Sequence, residues 1–216
     1  LIYQLKNHIY TISNYNRFII YDPKVREIQA LSYRDRVVQH SLCDNVIGPY
    51  LEPRLIYDNA ACRKGKGTHF AMDRLSGFLR RYYKEHGAEG YILKCDIRKY
   101  FNMISHEVLH KKINSMKLDD DTKWLLNLIV DSYEHTKGRG LPMGNQTSQW
   151  FALYYLDGLD RLIKEQMHIK YYTRYMDDMI LIHEDKDYLK KCLAVMEDYI
   201  DKELGLSFNE KTQIHH

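Results

Sequence analysis

Three aspartates are the residues of this sequence best suited to chemistry. Asp177 and Asp178 are adjacent in the segment YYTRYMDDMILIHE, whose other residues are typical of β-strands. Asp96 ends a second strand-like run, YILKCD. Adjacent carboxylates repel one another, and burying them is costly unless a positive charge compensates. Three such groups brought together by a sheet would therefore predict a cation site.

The residue types also indicate which cation and which reaction such a site would serve. Hard oxygen ligands suit Mg²⁺, with Mn²⁺ as the alternative ion, and Mg²⁺ completes its shell with water and substrate phosphates. Two such ions about 3.5–4 Å apart can hold the attacking and leaving oxygens of a phosphoryl transfer. Nucleotidyl transfer with two metal ions is the expected chemistry. A pair of aspartates more often marks a solvated turn, and we interpret Asp119–Asp120–Asp121 in that way, as a helix entry.

The elements around these aspartates predict an α+β fold. From Gly90 onward the pattern is strand, helices, hairpin, helix and strand, which indicates an antiparallel sheet with helices on one face. In the first strand Leu93 and Cys95 share one face, and Lys94 and Asp96 share the other. Upstream, a hairpin is expected over residues 17–31 around Asp22-Pro23-Lys24, and an amphipathic helix should stop near Gly87.

Composition restricts the class of protein without choosing a function. The 216 residues are 44% hydrophobic and 28% charged, which is typical of a globular domain. The net charge of +3 neither demands nor excludes a nucleic-acid partner. Four widely spaced cysteines, no signal peptide and no apolar run of membrane-span length predict a cytoplasmic protein without a membrane partner. Because the chain starts at Leu1 and stops abruptly, we expect a fragment of a longer protein.

Four motifs, taken in order along the chain, resemble those of reverse transcriptases. Tyr175-Met176-Asp177-Asp178 resembles the YxDD box of that family. The segments KCDIRKYF (94–101), LPMGNQTSQ (141–149) and LSFNEKT (206–212) resemble three further palm motifs. The upstream segments RDRVVQHSL and ACRKGKGTHFAMDRL are similar to the fingers motifs of bacterial, non-LTR-type enzymes. The resemblance covers nearly the whole chain.

This resemblance implies a right-hand polymerase, with fingers over residues 1–90 and palm over residues 91–216. Part of 111–140 would pack with the fingers, and the thumb would be absent. The implied activity is RNA-directed DNA polymerisation, in which dNTPs are added to a DNA primer 3′-OH on an RNA template in the bacterial cytoplasm. The alternative is an RNA-binding, maturase-like splicing factor acting on its own intron or retroelement RNA. Retention of all three aspartates favours the polymerase.

The resemblance also implies roles for single residues. Asp96 and Asp177 would bind the metal ions together with the Ile97 carbonyl, and Asp178 would be a weaker, supporting carboxylate. Phe101 would be a steric gate whose ring excludes a ribose 2′-OH. The implied nucleotide contacts are Arg26, Arg63, Phe101, Met143, Gly144 and Lys211. The implied nucleic-acid contacts are Lys24, Lys64 and Lys66, for which a solvated basic surface is the alternative.

Two features depart from the commoner pattern. Met143 precedes Gly144 where many family members have glutamine, and Ser148-Gln149 replaces the Ser-Pro of group II intron enzymes. Both features resemble the enzymes of diversity-generating retroelements, so the subfamily stays open between these two types. A methionine cannot make the hydrogen bonds of a glutamine amide. We therefore hypothesise that Met143 gives looser control of the incoming nucleotide and template.

One motif points to different chemistry. His106-Glu107-Val108-Leu109-His110 matches the H-E-x-x-H pattern of zinc proteases. No third ligand follows at a recognisable spacing, so we interpret the two histidines as polar surface residues.

Overall fold

A computed structural model describes residues 1–22 and 24–216. The strands are β1 (Asn16–Ile20), β2 (Arg26–Ala30), β3 (Tyr91–Cys95), β4 (Tyr171–Tyr175), β5 (Asp178–His183) and β6 (Gln213–His215). The α-helices are α1 (Ile2–Lys6), α2 (Tyr33–Leu42), α3 (Gly48–Leu51), α4 (Thr68–His86), α5 (Tyr100–Met103), α6 (His106–Asn114), α7 (Asp120–Asp131), α8 (Gln146–Tyr155), α9 (Asp157–Arg161) and α10 (Lys186–Leu204). Two π-helical turns, Cys43–Ile47 and Leu162–Gln166, complete the helical segments.

The chain forms two compact units that alternate along the sequence. The first combines Leu1–Gly48 with Phe101–Phe151, and the second combines Pro49–Tyr100 with Ala152–His216. The division into fingers and palm at residue 90 stays a prediction. Within the described residues, no helix is long and apolar enough to cross a membrane.

The first unit contains the predicted hairpin. β1 and β2 pair antiparallel from Asn16 opposite Ala30 to Ile20 opposite Arg26, and Pro23 in the connection lies outside the described residues.

The buried carboxylate of Asp35 accepts hydrogen bonds from Tyr10, Ser13 and Ser32. Burial alone would raise the pKa of Asp35, but these hydrogen bonds bring it below its usual range.

The second unit is built on a four-stranded antiparallel sheet with the strand order β4-β5-β3-β6. Leu93 and Cys95 are fully buried whereas Lys94 between them is exposed, so the predicted alternation is confirmed. α10 contacts β3, β5 and β6. It begins at its N-cap Asp185 and ends before Gly205, whose left-handed backbone (φ 61°) is typical of a helix C-terminus.

Helices pack on both faces of this sheet, rather than on the single face that we expected. α4 presents a stripe of apolar residues at helical spacing, and Phe78 and Tyr82 from it form a buried cluster with Tyr171 and Ile182. Ile92 and Ile180 also pack against this cluster. These isoleucines alternate along their strands with Leu93 and Leu181, so α4 covers the face opposite to those leucines.

Helix boundaries differ from the sequence pattern in two places. The segment RDRVVQHSLCDNVIGPYL has the apolar spacing of one helix up to Pro53, but the helix stops at Leu51 and a π-helical turn precedes its Pro49. Proline lacks an N–H and clashes with the carbonyl four residues before it, and a widened turn accommodates both effects. The segment TSQWFALYYLDGLDRLIKEQ has the pattern of one continuous helix, but the helix is divided at Leu156 into α8, α9 and a π-helical turn.

Candidate active site

A tight turn carries the first predicted catalytic aspartate. β4 and β5 are joined by Met176 and Asp177, and Tyr175 opposite Asp178 is the last strand pair before them. Met176 has a φ of 56°, the sign required at the first central residue of a type II′ hairpin turn. A non-glycine residue in this region costs about 1 kcal/mol or more, so surrounding contacts must hold the turn. The turn places Asp177 at the tip of the hairpin.

The second predicted metal ligand, Asp96, directly follows β3, which pairs with β5. Cys95 lies opposite Met179, so the next position along each strand brings Asp96 towards Asp178. The Asp96 carboxylate accepts a hydrogen bond of 2.9 Å from the Asn209 side chain. The Asp96 carbonyl accepts another of 2.7 Å from the Asn209 N–H. The segment 206–212 therefore supports the loop of Asp96, and Asn209 is a supporting residue that the motif contained but we did not single out.

The three aspartates interact electrostatically. Burial raises the pKa of Asp177 to about 6, and the negative charges of Asp96 and Asp178 act in the same direction. A hydrogen bond with its own backbone and the nearby Arg174 guanidinium oppose this rise. Asp177 is partly buried, whereas Asp178 is exposed. The site is thus a place where an added positive charge would be favourable.

The carboxylates of the site suit a cation that takes most of its ligands from water and substrate phosphates. Over residues 1–22 and 24–216, no group of three or more His, Cys, Asp or Glu side chains is arranged to hold a metal ion. Mg²⁺ is commonly held by one or two carboxylates plus water and substrate phosphates, and the coupled pair Asp96 and Asp177 fits that mode.

A cleft of about 290 Å³ lies beside the hairpin in the same unit. It is lined by Tyr175 and Asp178 from the hairpin, by Lys94 from β3, and by apolar residues of α4 such as Met72 and Leu75. Its wall thus includes the supporting carboxylate Asp178 together with a lysine. The cleft extends from the predicted catalytic residues along the face of the sheet that α4 covers.

Arg63 is occupied by contacts within its own unit. Its guanidinium donates to the Glu52 carboxylate at 2.8–3.0 Å and to the Ile56 and Asn59 carbonyls at 2.7 and 2.9 Å. The residue is only 6% exposed. A triphosphate contact by Arg63 would require this network to open, so among the predicted nucleotide contacts its geometry is the least favourable.

The neighbouring lysines differ from one another. Lys64 is exposed, whereas the Lys66 ammonium donates to the Tyr57 carbonyl and lies 4.4 Å from the centroid of the Tyr57 ring. Burial, and secondarily the charge of Arg63, lowers the pKa of Lys66 to about 8. Lys211 is exposed in the segment that supports Asp96. Lys64 and Lys211 are therefore accessible to an anionic ligand.

Several predicted nucleotide contacts belong to the other compact unit. Arg26 and Lys24 are exposed around the start of β2, and Phe101 is half-buried in α5. Gln29 and Met143 form two hydrogen bonds of 3.0 Å. The Gln29 N–H donates to the Met143 carbonyl, and the Met143 N–H donates to the Gln29 side-chain oxygen. Gln29 was not predicted as a functional residue, although its position as a glutamine in a strand-like run was a signal for one.

Gly144 follows Met143 in the same loop and has a φ of 106°. Such a backbone is accessible to glycine at little cost, and a Cβ here would lie 2.8 Å from Ile28. The side chain of Asn145, which comes next, donates to the Gln29 carbonyl at 3.0 Å. The loop is therefore held against β2 on both sides of Gly144.

The H-E-x-x-H segment is a structural feature. His106 is 5% exposed, and its Nε2 donates to the Gly140 carbonyl at 2.8 Å. Both ring nitrogens of His110 lie within hydrogen-bond distance of side-chain oxygens, those of Asn127 (2.6 Å) and Asp131 (2.8 Å). The interpretation of both histidines as surface residues is wrong for His106, because its ring is buried and hydrogen-bonds to the Gly140 carbonyl.

An antiparallel sheet thus carries aspartates at a hairpin tip and at the end of the adjacent strand. Residues 21–216 match the family described as reverse transcriptase (RNA-dependent DNA polymerase), and the chain belongs to that family. The α+β prediction is thereby confirmed.

Solved structures of two telomerases have a fold similar to that of this chain. Apo telomerase from Candida tropicalis, truncated from its C-terminal domain, aligns with a TM-score of 0.66 at 14% identity over 94% of this chain and 50% of its own. Telomerase from Candida albicans in complex with the TWJ fragment of telomeric RNA aligns with a TM-score of 0.68 at 13% identity over 98% of this chain and 44% of its own. The chain thus spans about half the length of these proteins. Among curated proteins, no sequence matches.

Proposed function

We propose that this chain is the catalytic part of an RNA-directed DNA polymerase that adds dNTPs to a DNA primer on an RNA template. The observation that carries the proposal is the sheet register that brings Asp96, at the end of β3, beside the tip of the β4–β5 hairpin that carries Asp177. Membership of the reverse transcriptase family supports the same reaction.

The aspartates would hold two divalent cations, for which Mg²⁺ is the proposed identity. When bound, the ions supply the positive charge that activates the primer 3′-OH and neutralises the leaving pyrophosphate. Asp96 and Asp177 would be the ligands, with the Ile97 carbonyl beside them, and Asp178 would add negative charge at the edge of the site. Lys211 would lie towards the pyrophosphate, where a point charge suits a phosphate.

The first unit would supply the residues that select the nucleotide. Phe101 would exclude a ribose 2′-OH, and Met143 with Gly144 would contact the incoming nucleotide. Arg26 would approach its triphosphate, and Lys24 would contact template phosphates. We further propose a bacterial, non-LTR type of enzyme, with its own intron or retroelement RNA as template, because the upstream motifs and Ser148-Gln149 resemble those groups.

Primer extension tests this function directly. The full-length protein is incubated with an RNA template, a DNA primer, dNTPs and Mg²⁺, and product is expected for the wild type but not for Asp177→Ala or Asp96→Ala. The matched control is Asp201→Ala, which removes an exposed aspartate of α10. Absence of extension by the wild type, or persistent extension by Asp177→Ala, would refute the proposal. Tight binding of structured RNA without extension would instead support the maturase-like alternative.

A further inference from the structure

Arg174 lies beneath the hairpin that carries Asp177 and is completely buried. Its Nη1 donates to the Met176 carbonyl at 2.7 Å, which is the carbonyl of the first residue of the turn. Its Nη2 also lies 3.2 Å from the Leu153 carbonyl in α8. The Arg174 guanidinium therefore connects the turn to α8.

Asp160 fixes the orientation of this guanidinium. Its carboxylate is fully buried and accepts two parallel hydrogen bonds from Arg174, from Nε at 2.7 Å and from Nη2 at 2.6 Å. The Tyr172 hydroxyl donates to the same carboxylate at 2.6 Å. A bidentate pair of this kind defines the plane of the guanidinium, and this leaves Nη1 directed at Met176.

The backbone of Arg174 is held as well. Its N–H donates to the Asp58 carbonyl at 3.1 Å, and its carbonyl accepts from the Ala60 N–H at 2.9 Å. The outer edge of β4 is thus paired where the strand approaches the turn. Both the main chain and the side chain of Arg174 are therefore immobilised three residues before Asp177.

Stability alone gives no reason for a charged pair at this position. Replacing a buried ion pair with apolar residues of similar volume is often neutral or stabilising, although removing only one partner is strongly destabilising. The Arg174–Asp160 pair does something that an apolar pair cannot do, because it provides a donor to Met176. That carbonyl belongs to the residue whose positive φ needs external support.

We infer that Arg174 is a positioning residue, whose guanidinium, oriented by Asp160, holds the Met176 carbonyl and thereby sets the conformation of the turn that presents Asp177. The inference deepens the proposed polymerase function and rests on it for its catalytic consequence. Arg174 touches neither substrate nor metal ion in this role. Loss of its hydrogen bond should lower turnover while leaving nucleotide and primer binding intact.

The test uses one mild and one apolar replacement. Arg174→Lys keeps the charge beside Asp160 but has a single nitrogen, so it cannot pair with Asp160 and reach Met176 with the same geometry. The triple variant Arg174→Met/Asp160→Leu/Tyr172→Phe removes the donor to Met176 without leaving a buried charge unpaired. Tyr172→Phe is the matched control, because it removes one hydrogen bond to Asp160 and leaves the bond to Met176 in place.

Two measurements separate positioning from simple structural support. Hydrogen exchange of the hairpin, residues 171–183, should accelerate by about tenfold or more relative to α10 in both replacements and not in the control. The kcat for primer extension should fall by about tenfold or more, with KM for dNTP unchanged within about twofold. The exchange measurement stays decisive if the wild type shows no polymerase activity, so the two failures are distinguishable.

Three results would overturn the inference. The first is that residues 171–183 keep their protection from hydrogen exchange, relative to α10, in both replacements. The triple variant could recover the kcat and the hairpin protection of the wild type. Both replacements could fail to fold while Tyr172→Phe folds, which would assign Arg174 to the stability of the whole unit alone.

Discussion

Asn209 binds Asp96 through two hydrogen bonds, one from its side chain to the Asp96 carboxylate (2.9 Å) and one from its backbone N–H to the Asp96 carbonyl (2.7 Å). The two residues are 113 positions apart in the sequence. The pair orients one carboxylate oxygen of Asp96 and leaves the other available to a cation. The last motif of the chain thus supports the first.

Replacing Asn209 by alanine should therefore weaken the metal site without removing a metal ligand. Loss of a supporting hydrogen bond to a ligand typically costs about 10- to 100-fold in metal affinity or activity. We expect primer extension by Asn209→Ala to need a higher Mg²⁺ concentration, measured as the half-saturating Mg²⁺. Asn45→Ala, which alters an exposed asparagine of the other unit, is the control. Equal Mg²⁺ curves for Asn209→Ala and the wild type would contradict this role.

Asp177 should destabilise the metal-free protein at neutral pH. Its pKa is about 6 in the folded state because of burial and of the charges of Asp96 and Asp178. An aspartate in the unfolded chain titrates near 4, so the folded state binds more protons between about pH 4 and 6. Stability is therefore lost as the pH rises through this window, by up to about 3 kcal/mol, and the full cost is present above about pH 6.

Asp177→Asn should remove this cost. Urea unfolding with a chelator present should show the Asp177→Asn variant more stable than wild type at pH 7.5 and equal to it near pH 4. Asp201→Asn, which neutralises an exposed aspartate, should show no such difference. Equal stabilities of Asp177→Asn and wild type at pH 7.5 would show that Asp177 is not destabilising in the folded chain.

The half-buried ring of Phe101 should decide between deoxynucleotides and ribonucleotides. If the ring excludes the 2′-OH, Phe101→Ala should raise kcat/KM for a ribonucleotide relative to its deoxynucleotide by about tenfold or more. Single-nucleotide extension with each substrate measures this ratio. Tyr83→Ala removes an exposed aromatic ring of α4 and serves as the control. An unchanged ratio with normal dNTP use would mean that Phe101 only fills space.

Met143 should influence fidelity, because its side chain cannot hydrogen-bond as a glutamine amide does. Its backbone is already held by Gln29, so Met143→Gln changes the side chain on a fixed loop. We expect fewer misincorporations by Met143→Gln, measured by sequencing the products of a defined RNA template. Val195→Gln, at an exposed position of α10, controls for the general effect of a new amide. Identical error spectra for Met143→Gln and wild type would count against the hypothesis.

The variant Arg63→Ala should distinguish a structural role of Arg63 from a contact between Arg63 and the triphosphate. Its buried hydrogen bonds to Glu52, Ile56 and Asn59 predict that Arg63→Ala lowers the free energy of unfolding by about 2–3 kcal/mol. KM for dNTP should then change little in the fraction that folds. Lys64→Ala, at the exposed neighbour, should leave stability unchanged and make binding of primer–template less dependent on salt. A large rise in KM for Arg63→Ala with normal stability would instead support the triphosphate contact.

Local patterns were sufficient for much of the fold. Alternation predicted the inward face of β3, and the helix that ends before Gly87 was likewise predicted from neighbouring residues. The aspartates could be selected because the segments that carry them resemble the ordered palm motifs of reverse transcriptases. These features depend on residues a few positions apart, which a sequence displays directly.

The tertiary structure alone decided which polar residues support the aspartates. Arg174 appears in the sequence as one more cation in a strand, yet it is fully buried because Asp160 meets it from another element. Arg63 appears as a free basic residue, yet Glu52 and nearby carbonyls occupy it. The residue types available for catalysis, and the elements that carry them, follow from the amino-acid sequence alone. Burial and pairing depend on contacts between distant segments, and those contacts determine which charges are free to act on a substrate.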